Sequence, residues 1–148
     1  MVLSALTIYL KDRIKDYVYS YKELTKDINI GFKLNIQTQK QEKFKETIKI
    51  LSLKLSQKEK INNLGLFIVG DIPKEYINKI VENLNLEKQF KIVIAKDLLE
   101  LQKLNTNLIL LSPGAITRTE LKNLKQNINV QGISFLGALI IDLESLSF

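Results

Sequence analysis

The second half of the chain alternates short apolar runs with helical patterns. The apolar runs predict buried strands over residues 64–70, 90–95, 108–111 and 132–141. Apolar residues at helical spacing lie between these runs: Ile77, Ile80, Val81 and Leu84, then a leucine-rich stretch through Leu104, then Leu121, Leu124 and Ile128. Strands that are apolar on both faces and alternate with single helices indicate an α/β fold, with a mostly parallel sheet covered by helices on both faces.

The starts of these three helices carry local signals. Asp71-Ile72-Pro73 places a proline in the first turn of the first helix. Asp97 with Glu100, and Thr117 with Glu120, have the spacing of a capping box, in which a side chain accepts a hydrogen bond from the amide three residues later. Each strand is therefore predicted to end in a turn that leads directly into a helix.

The first part of the chain predicts a helix, a strand and a second helix. Ser20 and Glu23 form a further capping box, which predicts a short helix through Leu24. The next apolar residues share one parity, as on a half-buried strand: Ile28, Ile30, Phe32, Leu34 and Ile36. Residues at i, i+4, i+7 and i+11 then form one stripe on a helix of about 18 residues: Phe44, Ile48, Leu51 and Leu55.

The first ten residues, MVLSALTIYL, are almost entirely apolar and are followed by a charged stretch that begins at Lys11. A spanning helix needs about 20 apolar residues, so this run is too short to cross a bilayer as it stands. The order of apolar and basic residues also differs from that of a signal peptide. Two interpretations remain open. The run is the end of a transmembrane helix that upstream coding sequence completes, or it is a helix packed on the core through Leu6, Tyr9, Leu10, Ile14 and Tyr17.

Charge is distributed unevenly along the 148 residues. The chain carries 22 Lys+Arg and 16 Asp+Glu, a formal charge of +6. Residues 1–60 hold 13 of the basic and 7 of the acidic residues, whereas residues 61–148 hold 9 of each. This asymmetry favours an anionic partner for the first part, either a membrane surface or nucleic acid, and a solvated lysine-rich surface is the alternative. Only Arg13 and Arg118 are arginine, which disfavours specific nucleic-acid recognition.

Composition excludes several kinds of chemistry. The chain has no cysteine and no histidine, so disulfides, thiol catalysis and histidine general bases are absent. With 45% hydrophobic and 26% charged residues it has the make-up of one globular domain. We divide it into a basic, juxtamembrane-like helical segment with one strand (1–60) and an α/β body (61–148). No long linker separates them, so we expect a single domain overall.

Ligands of open parallel sheets bind beyond the carboxyl ends of the strands. The candidate residues there are Gly70, Asp71 and Lys74 in one loop and Ser112 and Arg118 in another. The chain contains no Gly-Lys-Ser or Gly-Lys-Thr, so a phosphate-binding loop is disfavoured against a capped turn. Three aspartates, Asp71, Asp97 and Asp142, could meet at one edge and hold magnesium, although helix capping explains the first two. We expect no metal, no cofactor and no catalytic residue.

Several passages together resemble the cytoplasmic part of bacterial polysaccharide copolymerases, the chain-length determinants whose kinase-bearing members are bacterial tyrosine kinases. LTIYLKDRIKD is similar to the end of their transmembrane helix with its basic segment, YSYKELTKDINIGFKLNI to the helix and strand that follow, and FKETIKIL to a Phe-Arg-x-Leu-like helix. NLILLSPGAITRTELKNLKQNINVQGISFLGALIID is similar to their late strand, Pro-Gly turn, Thr-Arg helix start and final strand. The match is carried by Pro113, Gly114, Thr117, Arg118, Glu120 and Gly137.

The resemblance implies a degenerate P-loop or Rossmann-like domain, because Gly70-Asp71-Ile72-Pro73-Lys74 stands where the kinases have their Walker A loop. It implies a non-catalytic domain at the cytoplasmic face of the inner membrane that acts in surface-polysaccharide chain-length control or export. It also implies an upstream transmembrane helix, a homo-oligomer and contacts with other polysaccharide-assembly proteins. Lys11, Arg13 and Lys15 would then lie near the lipid headgroups. The alternatives are a small nucleotide- or phosphate-binding α/β enzyme and a lysine-rich nucleic-acid-binding protein.

Overall fold

The computed structural model describes residues 16–37, 40–56, 63–87, 91–95, 97–104 and 106–142. Five strands form one sheet: β1 (Ile30–Gln37), β2 (Asn63–Ile68), β3 (Lys91–Ala95), β4 (Thr106–Leu111) and β5 (Phe135–Asp142). The helices are α1 (Tyr21–Thr25), α2 (Gln41–Ser56), α3 (Lys74–Glu87), α4 (Leu98–Gln102) and α5 (Arg118–Gln131). The predicted α/β fold is confirmed.

All the strand pairs of this sheet are parallel, in the order β1-β5-β4-β2-β3. The three inner strands are those whose sequences are apolar on both faces, as burial by two layers of helices requires. β1 pairs with β5 from Ile30 to Gln37, so the basic first part of the chain and the α/β body contribute to one sheet.

The helices cover the sheet on both faces, and each face has its own core. One core contains Leu24 of α1, Leu98 and Leu101 of α4, and Leu121 and Ile128 of α5. The other contains the stripe of α2 and the inward face of α3. Alternate residues of β4 divide between them, with Ile109 facing the first core and Leu110 facing the second. The result is three layers, with α1, α4 and α5 on one side and α2 and α3 on the other.

The predicted capping boxes are confirmed. Ser20 Oγ accepts from the Glu23 amide at 3.4 Å, Asp97 Oδ1 from Glu100 at 3.0 Å, and Thr117 Oγ1 from Glu120 at 3.3 Å. Each bond satisfies an amide that has no partner within its own helix. Sequence spacing therefore located the starts of α1, α4 and α5 to the residue.

Several boundaries differ from the sequence prediction. The strand assigned to 132–141 begins only at Phe135, because Gly132 caps the end of α5 with φ 66°. The strand assigned to 64–70 ends at Ile68, and Gly70 lies in the following turn with φ 81°. Glycine adopts such positive φ values readily, so both residues end an element rather than extend it. The leucine-rich helix ends at Gln102, not at Leu104.

The single parity predicted for the first strand is correct for only part of it. Phe32, Leu34 and Ile36 face the core under α2, but Ile28 and Ile30 pack on the opposite core, beside α1. Ile28 precedes β1, and Ile30 is its first residue. The alternating pattern in the sequence therefore begins before the strand does. Its first two residues lie where the chain enters the sheet from the side of α1.

Candidate functional site

The strand order places one crevice of the kind that binds ligands in open α/β sheets. β2 and β4 are neighbours in the sheet. The chain continues from β2 to β3 on one side of this pair, and from β4 to β5 on the other side. The connections that leave the carboxyl ends of these two neighbouring strands therefore diverge, which defines the usual ligand crevice. Its walls are the β2–α3 loop (69–73) and the β4–α5 loop (112–117). Both loops predicted from the sequence are thus brought together.

The β2–α3 loop is held against the β4–α5 loop by its own backbone. The Asp71 amide donates to the Ala115 carbonyl at 2.9 Å, and the Val69 amide donates to Leu110 at 2.9 Å. A Cβ on Gly70 would lie 2.2 Å from the Ala115 oxygen, so only glycine allows this approach. The two walls of the crevice are in direct contact at this point.

A phosphate cradle needs several backbone amides that converge on an open space at the start of the helix. Here the Asp71 amide is bonded to Ala115, and Pro73 has no amide hydrogen. Lys74 is exposed as the first residue of α3, and the Asp71 side chain is also exposed. Gly70, Asp71 and Lys74 therefore form a turn whose chemistry differs from that of a nucleotide-binding loop.

Ser112 is a structural residue of the second loop. It is 1% exposed, and its hydroxyl donates to the Ile141 carbonyl of β5 at 2.8 Å. The Ala115 amide closes the turn by donating to the Ser112 carbonyl at 3.2 Å. The Ser112 hydroxyl thus ties the end of β4 to β5 and points away from the crevice.

The residues just before α1 pair with the β4–α5 loop, a contact that sequence reasoning missed. The Val18 amide donates to the Ile116 carbonyl at 2.9 Å, and the Gly114 amide donates to the Val18 carbonyl at 2.8 Å. Tyr17 and Thr117 form an antiparallel bridge in the same segment. The stretch Tyr17-Val18-Tyr19 has the β-branched and aromatic composition of a strand, which is the signal that could have indicated this pairing.

Tyr19 packs over the turn that the resemblance singled out. A Cβ on Gly114, which has φ 79°, would lie 2.9 Å from the Tyr19 ring. The ring remains 58% exposed. The Pro-Gly turn therefore packs against residues 17–19.

Arg118 extends away from the crevice toward α1. Its Nε donates to the Glu23 carboxylate at 3.3 Å, and the side chains are 58% and 46% exposed. An exposed pair of this kind contributes about 0–1 kcal/mol to stability. Lys125 Nζ donates to the Glu23 carbonyl, and burial lowers the pKa of this ammonium group, an effect that the nearby carboxylates of Asp27 and Glu23 oppose. Arg118 and Lys125, two of the three basic residues of α5, therefore both contact Glu23 of α1.

The three aspartates considered for magnesium do not form a common site. Asp97 is occupied as the cap of α4. Within residues 16–37, 40–56, 63–87, 91–95, 97–104 and 106–142, no group of three acidic side chains is placed to hold a metal ion. The possibility raised for Asp71, Asp97 and Asp142 is therefore wrong.

Lys11, Arg13 and Lys15 lie outside the described residues, as do Leu6, Tyr9, Leu10 and Ile14. Among the helices that the structure describes, none combines the length and the apolar character that a membrane crossing requires. Of the residues suggested for the N-terminal helix, Tyr17 alone is described, and it takes part in the bridge to Thr117.

Comparisons of the chain with protein-family profiles, with curated proteins and with solved structures find no match. The function must therefore be argued from the site itself. Its central feature is a crevice, at the position where α/β proteins bind ligands, whose two loops are joined by the Asp71–Ala115 hydrogen bond. Residues 17–19 pair with one of these loops.

Proposed function

We propose that this chain is a non-catalytic domain held at an anionic membrane surface, where it acts through protein contacts in surface-polysaccharide chain-length control or export. The observation that supports it most is the closure of the crevice by the chain's own backbone. Asp71, Gly114 and Val18 use their amides within the protein, so these three amides are not available to hold a nucleotide phosphate.

The same contacts give residues 17–19 a defined role. Val18 is bonded on both sides to the β4–α5 loop, and it follows directly after the basic stretch that contains Lys11, Arg13 and Lys15. Anything that holds that stretch at a membrane also holds the carboxyl end of the sheet near it. The resemblance to polysaccharide copolymerases supplies the process, and the polysaccharide-assembly proteins of that family supply the partners.

Membrane binding through the basic stretch is testable with vesicles. The full chain is expected to bind vesicles of phosphatidylglycerol and phosphatidylcholine, and to release them as salt rises, because each basic residue near the surface contributes about 1 kcal/mol. Replacing all three residues, as in Lys11→Gln, Arg13→Gln and Lys15→Gln, is expected to weaken the partition by roughly 100-fold. Co-sedimentation across a series of lipid concentrations measures the partition.

The matched control neutralises three exposed lysines elsewhere on the surface: Lys49→Gln, Lys91→Gln and Lys103→Gln. This control removes the same charge from other positions. Its vesicle binding should fall by much less than that of the Lys11, Arg13 and Lys15 variant if the position of the charge matters. Equal binding of the native chain to pure phosphatidylcholine vesicles, or equal losses in the two triple variants, would contradict the proposal.

A further inference from the structure

A groove of about 610 Å³ runs between α1 and α5, on the face of the sheet opposite α2 and α3. Of the candidate site residues, Arg118 at the start of α5 borders this groove, and Gly70, Asp71, Lys74 and Ser112 do not. Its lining is rich in charged side chains: Val18, Glu23, Lys26, Asp27, Arg118, Leu121, Lys122, Lys125, Gln126 and Asn129.

The groove is positively charged, and two of its cations are available. Four basic residues face two acidic ones across it. Glu23 is engaged by Arg118 through its carboxylate and by Lys125 through its carbonyl. The side chains of Lys26 and Lys122 are exposed and make no hydrogen bond or ion pair with any residue that the structure describes. Asp27 also lines the groove, and its carboxylate opposes an anion there and limits the affinity.

The lining offers groups that suit an anion. Its two apolar residues, Val18 and Leu121, are 0% and 4% exposed, and six of its ten residues are charged. The amide side chains of Gln126 and Asn129 are exposed on the α5 wall and supply hydrogen-bond donors. Ammonium groups with neutral amide donors suit the oxygens of a phosphate group.

The groove also lies close to the basic stretch. Val18 forms part of the lining, and the chain from Lys15 to Val18 can span at most about 11 Å, three residues at full extension. That span is comparable to the Debye length at physiological salt, about 8 Å. If Lys15 lies among lipid headgroups, the groove lies within electrostatic reach of the same layer.

We infer that the α1–α5 groove binds the phosphate group of an anionic lipid headgroup, with Lys26 and Lys122 as the cations and Gln126 and Asn129 as donors. This inference rests on the proposed membrane-surface function and adds a specific contact to it. The basic stretch holds the domain near the bilayer, and the groove fixes which face of the sheet lies against it.

The test compares two double variants of the full chain in the same vesicle assay, with residues 11–15 left intact. Lys26→Gln/Lys122→Gln is expected to weaken binding to phosphatidylglycerol vesicles by roughly 10- to 30-fold, from the loss of two surface contacts. Lys91→Gln/Lys103→Gln removes the same charge outside the groove lining, on β3 and just after α4, and should change binding by less than about 3-fold. Both pairs are exposed, so both variants are expected to retain the native unfolding midpoint.

Competitors identify the source of the phosphate. Free glycerol phosphate should shift the side-chain amide NMR signals of Gln126 and Asn129 in the native chain and leave them unchanged in Lys26→Gln/Lys122→Gln. A poly-glutamate peptide that displaces the vesicles more strongly than glycerol phosphate does would assign the groove to an acidic peptide and overturn the inference.

The two proposals fail in different ways. A native chain that does not bind anionic vesicles contradicts the membrane function and the groove together. Binding that is lost with Lys11, Arg13 and Lys15 but is equal in the two double variants contradicts the groove alone.

Discussion

Replacing Gly70 with alanine is expected to lower the free energy of unfolding by about 3–4 kcal/mol, from a left-handed backbone and a steric overlap acting together. The residue has φ 81°, which costs an L-residue roughly 1–2 kcal/mol. Its new Cβ would also lie 2.2 Å from the Ala115 oxygen, and that atom belongs to backbone that accepts the Asp71 hydrogen bond. Relief of the overlap requires the two loops to separate.

Gly132→Ala is the matched control for this substitution. Gly132 has a similar φ of 66°, but a Cβ there would meet nothing within 4 Å. It should therefore cost only the backbone term, about 1–2 kcal/mol. Urea unfolding of both variants gives the difference, which we expect to be about 2 kcal/mol. Equal losses would mean that the loops are not in contact at Gly70.

Replacing Gly65 with alanine is expected to destabilise the chain by about 2–3 kcal/mol, because Asn107 fills the space above it. A Cβ on Gly65 would lie 2.3 Å from Asn107 Oδ1 and 2.8 Å from Leu104 Cδ1. Asn107 is 6% exposed, and its Nδ2 donates to the Leu101 carbonyl at 3.1 Å and the Leu104 carbonyl at 3.5 Å. Moving this side chain would break its hydrogen bonds to the Leu101 and Leu104 carbonyls, of which the bond to Leu101 is buried.

A double-mutant cycle with Asn107→Ala isolates this contact. Asn107→Ala alone is expected to cost about 1–3 kcal/mol, from the loss of the hydrogen bonds to α4. The double variant should cost at least about 1 kcal/mol less than the sum, since alanine at 107 leaves room for the new Cβ. Chemical unfolding of the four proteins supplies the cycle. Additive losses would indicate that the side chain of Asn107 does not occupy the space above Gly65.

Local signals predicted the elements of this fold well. The capping boxes at Ser20, Asp97 and Thr117 mark helix starts through contacts three residues apart, which the sequence contains in full. The apolar runs indicated a parallel sheet, because a strand that is buried on both faces has no alternation of apolar and polar residues. Errors arose where a residue's role depends on distant packing, as at Ile30, which belongs to a strand pattern but packs beside α1.

The contacts at the crevice were harder to predict from the sequence. Topology rules placed the β2–α3 and β4–α5 loops at one edge, and the structure brings them together. That Gly70 touches Ala115, and that Val18 bonds to both Gly114 and Ile116, depends on contacts between residues far apart in the chain. The ion pair of Arg118 could not be predicted from the sequence either, since its partner Glu23 lies in another helix, 95 residues earlier in the chain.

Amide hydrogen exchange at Asp71, Gly114 and Val18 tests the central claim most directly, because the Asp71 amide joins the two loops of the crevice and the other two amides join the β4–α5 loop to residues 17–19. In the full chain they should be as strongly protected as amides of the inner strands, and magnesium with ATP should leave their exchange rates unchanged. Exchange at the rate of an unstructured chain would show that the crevice is open. Slower exchange at Asp71 on addition of nucleotide would show that the crevice binds a ligand, and it would contradict the proposal of a non-catalytic domain.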